Sequence, residues 1–135
     1  MITLKPIGAF AGAIVMSLTS WLGLANDTPT ISATELINNK SEYVVLDVRS
    51  AEEYSEGHIE GAINIPHTEI EEQLERLRSI DKTIVVHCRS GYRAGKAESI
   101  MDKNGITNFV HLEGDMLGWQ KQSLPLVTPK VTPKS

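Results

Sequence analysis

The 135-residue chain has one cysteine, Cys88, so no internal disulfide can staple its fold. No cysteine follows the apolar N-terminal run closely enough to carry a lipid anchor, and no twin-arginine pair precedes that run. No His, Cys and carboxylate cluster has metal-ligand spacing, so no metal is expected, and no motif calls for a cofactor. Cationic excess is missing as well. With 13 Lys and Arg against 17 Asp and Glu the net charge is −4, which argues against nucleic acid as a partner. What is present, 41% apolar and 22% charged residues, suits one globular domain able to bury roughly 65% of its unfolded surface without staples.

Lys5 precedes an apolar stretch from Ile7 to Ala25, which ends Gly23-Leu24-Ala25 before the polar Asn26-Asp27. A basic start, an apolar middle and small residues at the break read as a secretory signal over residues 1–25, cleaved after Ala25. The expectation is an exported, periplasmic protein without a membrane span after processing. The alternative is a retained anchor over residues 7–25, since about 20 apolar residues span a bilayer. Gly8, Ala9, Ala11, Gly12 and Ala13 dilute the run and favour cleavage. An unpaired cysteine in an exported protein flags a reactive thiol or an intermolecular bond.

Three segments carry capping-box patterns, at Ser32–Glu35, Ser50–Glu53 and Thr68–Glu71, and Ile31 with Leu36 could staple the first. Between and after them lie β-rich runs at 43–46, 62–65, 83–87 and 108–112, which do not alternate cleanly. Such runs suit strands buried on both faces of a parallel sheet, so the expected class is α/β, with ligands outside the carboxyl ends of the strands. From Pro125 onward, Val127-Thr128-Pro129-Lys130 repeats as Val131-Thr132-Pro133-Lys134, and residues 125–135 read as an extended, disordered tail.

Cys88-Arg89-Ser90-Gly91-Tyr92-Arg93 sits between the run Thr83–His87 and a helical stripe of Ala94, Ala97, Ile100 and Met101 stopped at Asn104-Gly105. A thiol at a strand end, followed by a turn and a helix, faces backbone N–H groups and the positive end of a helix dipole, which stabilise a thiolate or an anion. A cation at Arg93 opposes that dipole, which points to anion binding; Arg89 is a looser loop cation. Ser90 and Gly91 serve through the backbone, Gly by allowing positive φ and Ser by adding a donor. Tyr92 either walls the pocket or covers the core. Asp47 and Arg49, at another strand end, read as an ion pair holding the loops, and His58 as a hydrogen-bonded structural histidine. His67, His87 and His111 receive no role, and no His or carboxylate partner of Cys88 is evident.

Leu46-Asp47-Val48-Arg49, then Glu53-Tyr54 through Gly57-His58-Ile59 to Pro66, then a strand ending in Cys88-x4-Arg93, together resemble the rhodanese family of sulfurtransferases. Glu113-Gly114-Asp115 with Trp119 is similar to that family's final loop and helix. The likeness covers residues 30–124, within a domain bounded at 26–124. It implies a rhodanese-like parallel sheet of about five strands with helices on both faces. It also implies persulfide chemistry: Cys88 takes a sulfane sulfur from thiosulfate or a similar small-molecule donor, and a thiophilic acceptor such as cyanide or a thiol removes it. Two alternatives stand beside this: a phosphatase or arsenate reductase of the same fold, whose loop is one residue longer, and a non-catalytic sulfur-carrying or binding module.

Overall fold

A computed structural model describes residues 27–130. The segment expected to be a signal, residues 1–25, and the last five residues of the tail lie outside the described residues. In chain order the elements are β1 (Thr30–Ile31), α1 (Ala33–Asn38), a 3-10 turn (Lys40–Glu42), β2 (Tyr43–Asp47), α2 (Ala51–Glu56) and β3 (Ile63–Asn64). A 3-10 segment (His67–Gln73) then leads into α3 (Leu74–Arg78), β4 (Thr83–His87), α4 (Tyr92–Lys103), β5 (Phe109–Leu112) and α5 (Asp115–Lys121). The strands form one sheet in the order β1-β5-β4-β2-β3, and every neighbouring pair is parallel.

The lack of alternation has a direct cause in β4. Ile84 and Val86 pack into one core with Leu77, Ala97 and Met101, while Val85 packs into the opposite core with Leu112, Met116 and Trp119. All three β4 side chains are fully buried, and each such burial contributes about 1.5–3 kcal/mol. Helices therefore cover both faces. Cys88 closes the first core, and Asp47 and His87 end adjacent strands side by side in register.

The Ser50 box forms as read, and at Ser32 only the Ser half of the box forms. Ser32 accepts from the Glu35 N–H (3.1 Å), and Ser50 and Glu53 make a complete capping box. The third does not. Glu69 N–H bonds the Pro66 carbonyl (2.8 Å), so tight 3-10 bonding starts before Thr68, and the α-helix begins only at Leu74. β1 is absent from the sequence reading because two residues have no period; Ile31 pairs with Leu112 as well as sharing a core with Leu36.

The boundary at 124 moves. His58 and Val127 exchange both backbone hydrogen bonds (2.9 and 2.8 Å), and Trp119 Nε1 donates to the Pro125 carbonyl (3.0 Å). The folded domain thus runs through Val127, because Pro125 keeps an acceptor and Val127 keeps its own N–H. No helix among the described residues is long and apolar enough to cross a membrane.

Candidate functional site

Cys88 leaves β4 as a buried residue, 1% exposed. Gly91 turns the chain with φ +113°, caps the 12-residue helix α4, and donates its N–H to Cys88 Sγ at 3.0 Å. Of the N–H row anticipated in the loop, this is the donor that reaches sulfur. A side chain at 91 would be strained by that φ, and its Cβ would stand 3.2 Å from Asp115 Oδ2. The loop is held from below by α5: Met116 and Leu117 N–H groups donate to the carbonyls of Cys88 (3.0 Å) and Arg89 (3.1 Å).

Asp47 and Arg49 meet in a buried bidentate pair. Arg49 Nη2 lies 2.6 Å from Asp47 Oδ2 and also donates to the Gly57 carbonyl at 2.8 Å. Asn64, which sequence reasoning did not single out, donates to the carbonyls of Asp47 and Arg49 and fixes the turn. His58 Nδ1 bonds the Tyr54 carbonyl at 2.8 Å, and its ring stacks on Tyr54 with centroids 3.7 Å apart. His87 is buried with Nδ1 on the Cys88 carbonyl (3.0 Å), which requires the proton on Nδ1. Burial pushes its pKa down, which favours the neutral imidazole, and Nε2 has no hydrogen-bond partner among the described residues, Asp47 Oδ2 standing 3.7 Å away.

The arginines are disposed differently from the sequence reading. Arg93 is already paired: Nη1 and Nη2 contact the two Glu53 oxygens at 2.6 and 3.0 Å. Hydrogen bonding from Arg93 holds the Glu53 carboxyl down at about 2. The dipole penalty at Arg93 is thus offset by a carboxylate 40 residues upstream, rather than by a substrate anion alone. Arg89 is exposed and makes no ion pair among the described residues. It lines a cleft of about 380 Å³ with Arg49, Glu53, Glu56, Met116 and Gln120. Ser90 is exposed. Tyr92, 73% exposed, covers no core and lies under Lys96 Nζ at 4.8 Å.

A carboxylate does stand beside Cys88. Asp115 Oδ1 accepts the Cys88 backbone N–H at 3.0 Å, and Oδ2 contacts His111 Nε2 at 2.9 Å. His111 Nδ1 in turn contacts Glu98. The imidazole is therefore bracketed by two carboxylates, first Asp115 and then Glu98, and its pKa is raised to about 10. Burial alone would raise the Asp115 carboxyl, but the His111 and Cys88 hydrogen bonds outweigh it and bring it down. No group of His, Cys and carboxylate residues among those described is placed to hold a metal ion.

Comparison with known proteins places these features in a wider set. The rhodanese-like domain family matches residues 32–122. The chain is similar to a rhodanese-related protein from Thermoplasma volcanium, at 35% identity and a TM-score of 0.68, over 75% of this chain and 99% of that one. It is similar to a human single-domain sulfurtransferase at 30% identity and a TM-score of 0.60, over 71% and 98% of the two chains. A tRNA uridine(34) hydroxylase of Buchnera aphidicola is 35% identical over 98 residues, 66% of this chain, which spans 30% of that relative's length.

Proposed function

The chain belongs to the rhodanese-like domain family, and on that premise we propose that it is a sulfurtransferase working through a Cys88 persulfide. The donor is thiosulfate or a similar sulfane-sulfur anion. Cys88 thiolate attacks the outer sulfur, a new S–S bond forms, the donor's S–S bond breaks, and sulfite leaves with the electron pair. An acceptor such as cyanide or a thiol then attacks the outer sulfur of the persulfide, and the Cys88 thiolate is regenerated. Sulfite is a stable anion and needs no protein acid to depart. With no second cysteine in the chain, the acceptor comes from outside.

The observation that carries this reading is the Gly91 N–H on Cys88 Sγ at the start of α4. A donor and a helix N-terminus aimed at one sulfur favour its anionic forms. Arg89, which lines the cleft and makes no ion pair among the described residues, is the cation assigned to the donor. A phosphatase role is less well supported, because the arginine that would hold a phosphoryl group is occupied by Glu53. The hydroxylase activity of the longer relative is not carried over to this domain.

The test is incubation with thiosulfate followed by intact-mass measurement. The parent protein should gain one sulfur, reversibly to dithiothreitol. Cys88→Ser, which cannot form a persulfide, should gain none and transfer none. Appreciable transfer by the serine variant would refute the nucleophile assignment. We also propose that residues 1–25 are removed on export to the periplasm. N-terminal sequencing of the soluble exported fraction should start at Asn26, and full-length chain found only in membranes would overturn this.

A further inference from the structure

The Glu98–His111–Asp115 chain takes no part in the transfer steps above, yet it ends on the nucleophile's own backbone. Its three side chains come from α4, β5 and α5 and are little exposed, 7%, 17% and 5% respectively. Asp115 adopts φ +53°, a left-handed conformation that L-residues disfavour; of the two non-glycine residues described with positive φ it is the buried one. Such strain persists where surrounding contacts require it. Here the contacts are the Cys88 N–H and His111.

An aspartate at this place brings a cost. A carboxylate beside Cys88 repels the anionic thiolate and persulfide on which the reaction depends. His111 supplies the opposing charge, and Glu98 helps to keep it protonated. Facing the same region are Arg93 from α4, whose charge interacts with Cys88, and His87 from β4, whose neutral form burial favours and which is backed by Asp47 and Arg49. We propose that Asp115 and His111 are positioning residues for sulfur transfer: Asp115 fixes the Cys88 backbone, and His111 cancels the Asp115 charge so that the sulfur anion beside it is not repelled. This rests on the sulfurtransferase reading.

The two residues then act on Cys88 in opposite senses, which a merely structural role does not predict. Alkylation by iodoacetamide at pH 7 reads the thiolate directly and needs no sulfur donor. His111→Gln leaves Asp115 uncompensated and should slow alkylation about three- to tenfold. Asp115→Asn keeps an acceptor for the Cys88 N–H, removes the charge, and should speed it by a similar factor of about three to ten. The double variant should return to within about twofold of the parent. Circular dichroism checks folding; if His111→Gln does not fold, Asp115→Asn alone decides, acceleration supporting the proposal and no change or slowing overturning it. Both variants moving alkylation in the same direction, or neither moving it, also overturns it. Thiosulfate loading measured by mass in the same proteins reports separately: no loading in the parent refutes the sulfurtransferase reading, whereas unchanged alkylation with normal loading refutes the role of His111 and Asp115.

Discussion

Replacing Gly91 with alanine tests the cradle at its tightest point. The native φ of +113° is one that L-residues rarely adopt, and forcing such a conformation costs about 1–3 kcal/mol. The new Cβ would also stand 3.2 Å from Asp115 Oδ2 and 3.9 Å from His111 Nε2. Asp115 cannot retreat freely, because it holds the Cys88 N–H and His111 at 3.0 and 2.9 Å. Weakening one charge-assisted hydrogen bond adds on the order of 1 kcal/mol. Together about 2–4 kcal/mol should be lost, which for a domain near 100 residues lowers Tm by roughly 8–30 °C. If the turn relaxes instead, the Gly91 N–H leaves Sγ and sulfur loading should slow about tenfold or more. Thermal unfolding followed by circular dichroism, with loading rates by mass, reads both effects. Gly95→Ala is the control: that glycine lies in α4 with open space around its Cβ position, and alanine there should stabilise by up to about 1 kcal/mol. A Gly91→Ala protein with unchanged Tm and unchanged loading would refute the account of the loop.

The two loop arginines should separate kinetically. Arg89→Ala should raise the thiosulfate KM about ten- to hundredfold, whereas Arg93→Ala should chiefly lower Tm by freeing Glu53; the reverse pattern in saturation curves and melts would refute the assignment of Arg89 to the donor. Stability should also fall with rising pH above neutrality. The folded pKa of His111, about 10, lies above the ordinary imidazole value of 6.5, so its contribution is complete below about 6.5 and is lost as pH rises towards 10. His87, lowered by burial, acts only below 6.5 and in the opposite sense. Urea unfolding between pH 6.5 and 9 should show this decline in the parent and a smaller one in His111→Gln; equal declines would show that His111 is not held protonated by the fold.

The legible part of this protein is its local chemistry. The β4 run reads as 83–87 and forms Thr83–His87, because three consecutive β-branched residues packed on both faces leave few alternatives. The Ser50 box is readable for a similar reason, since its partners lie three residues apart. Asp47 and Arg49, two residues apart at a strand end, are suggestive for the same cause. Contacts set by topology are not readable. Glu53 and Arg93 meet only because α2 and α4 both start near the carboxyl edge of the sheet. His111 looks isolated in sequence, although Asp115 is four residues away. That spacing signals contact along a helix, whereas here it crosses a strand end and a left-handed turn. The strap at Val127 escapes notice because the prolines around it advertise disorder, while the bridge needs only one free N–H and one carbonyl.

The sheet's two outer strands are each two residues long, β1 on one margin and β3 on the other, while β2 and β4 inside have five. Unpaired N–H and C=O groups along a margin are a template on which another chain can add a strand, and very short edges blunt that tendency. A margin of two residues gives a neighbouring copy too little backbone to continue the sheet, and gives an extended peptide too little to dock by lengthening it. A protein that passes sulfur to or from Cys88 would then have to read this domain through exposed side chains such as Arg89 rather than by backbone pairing.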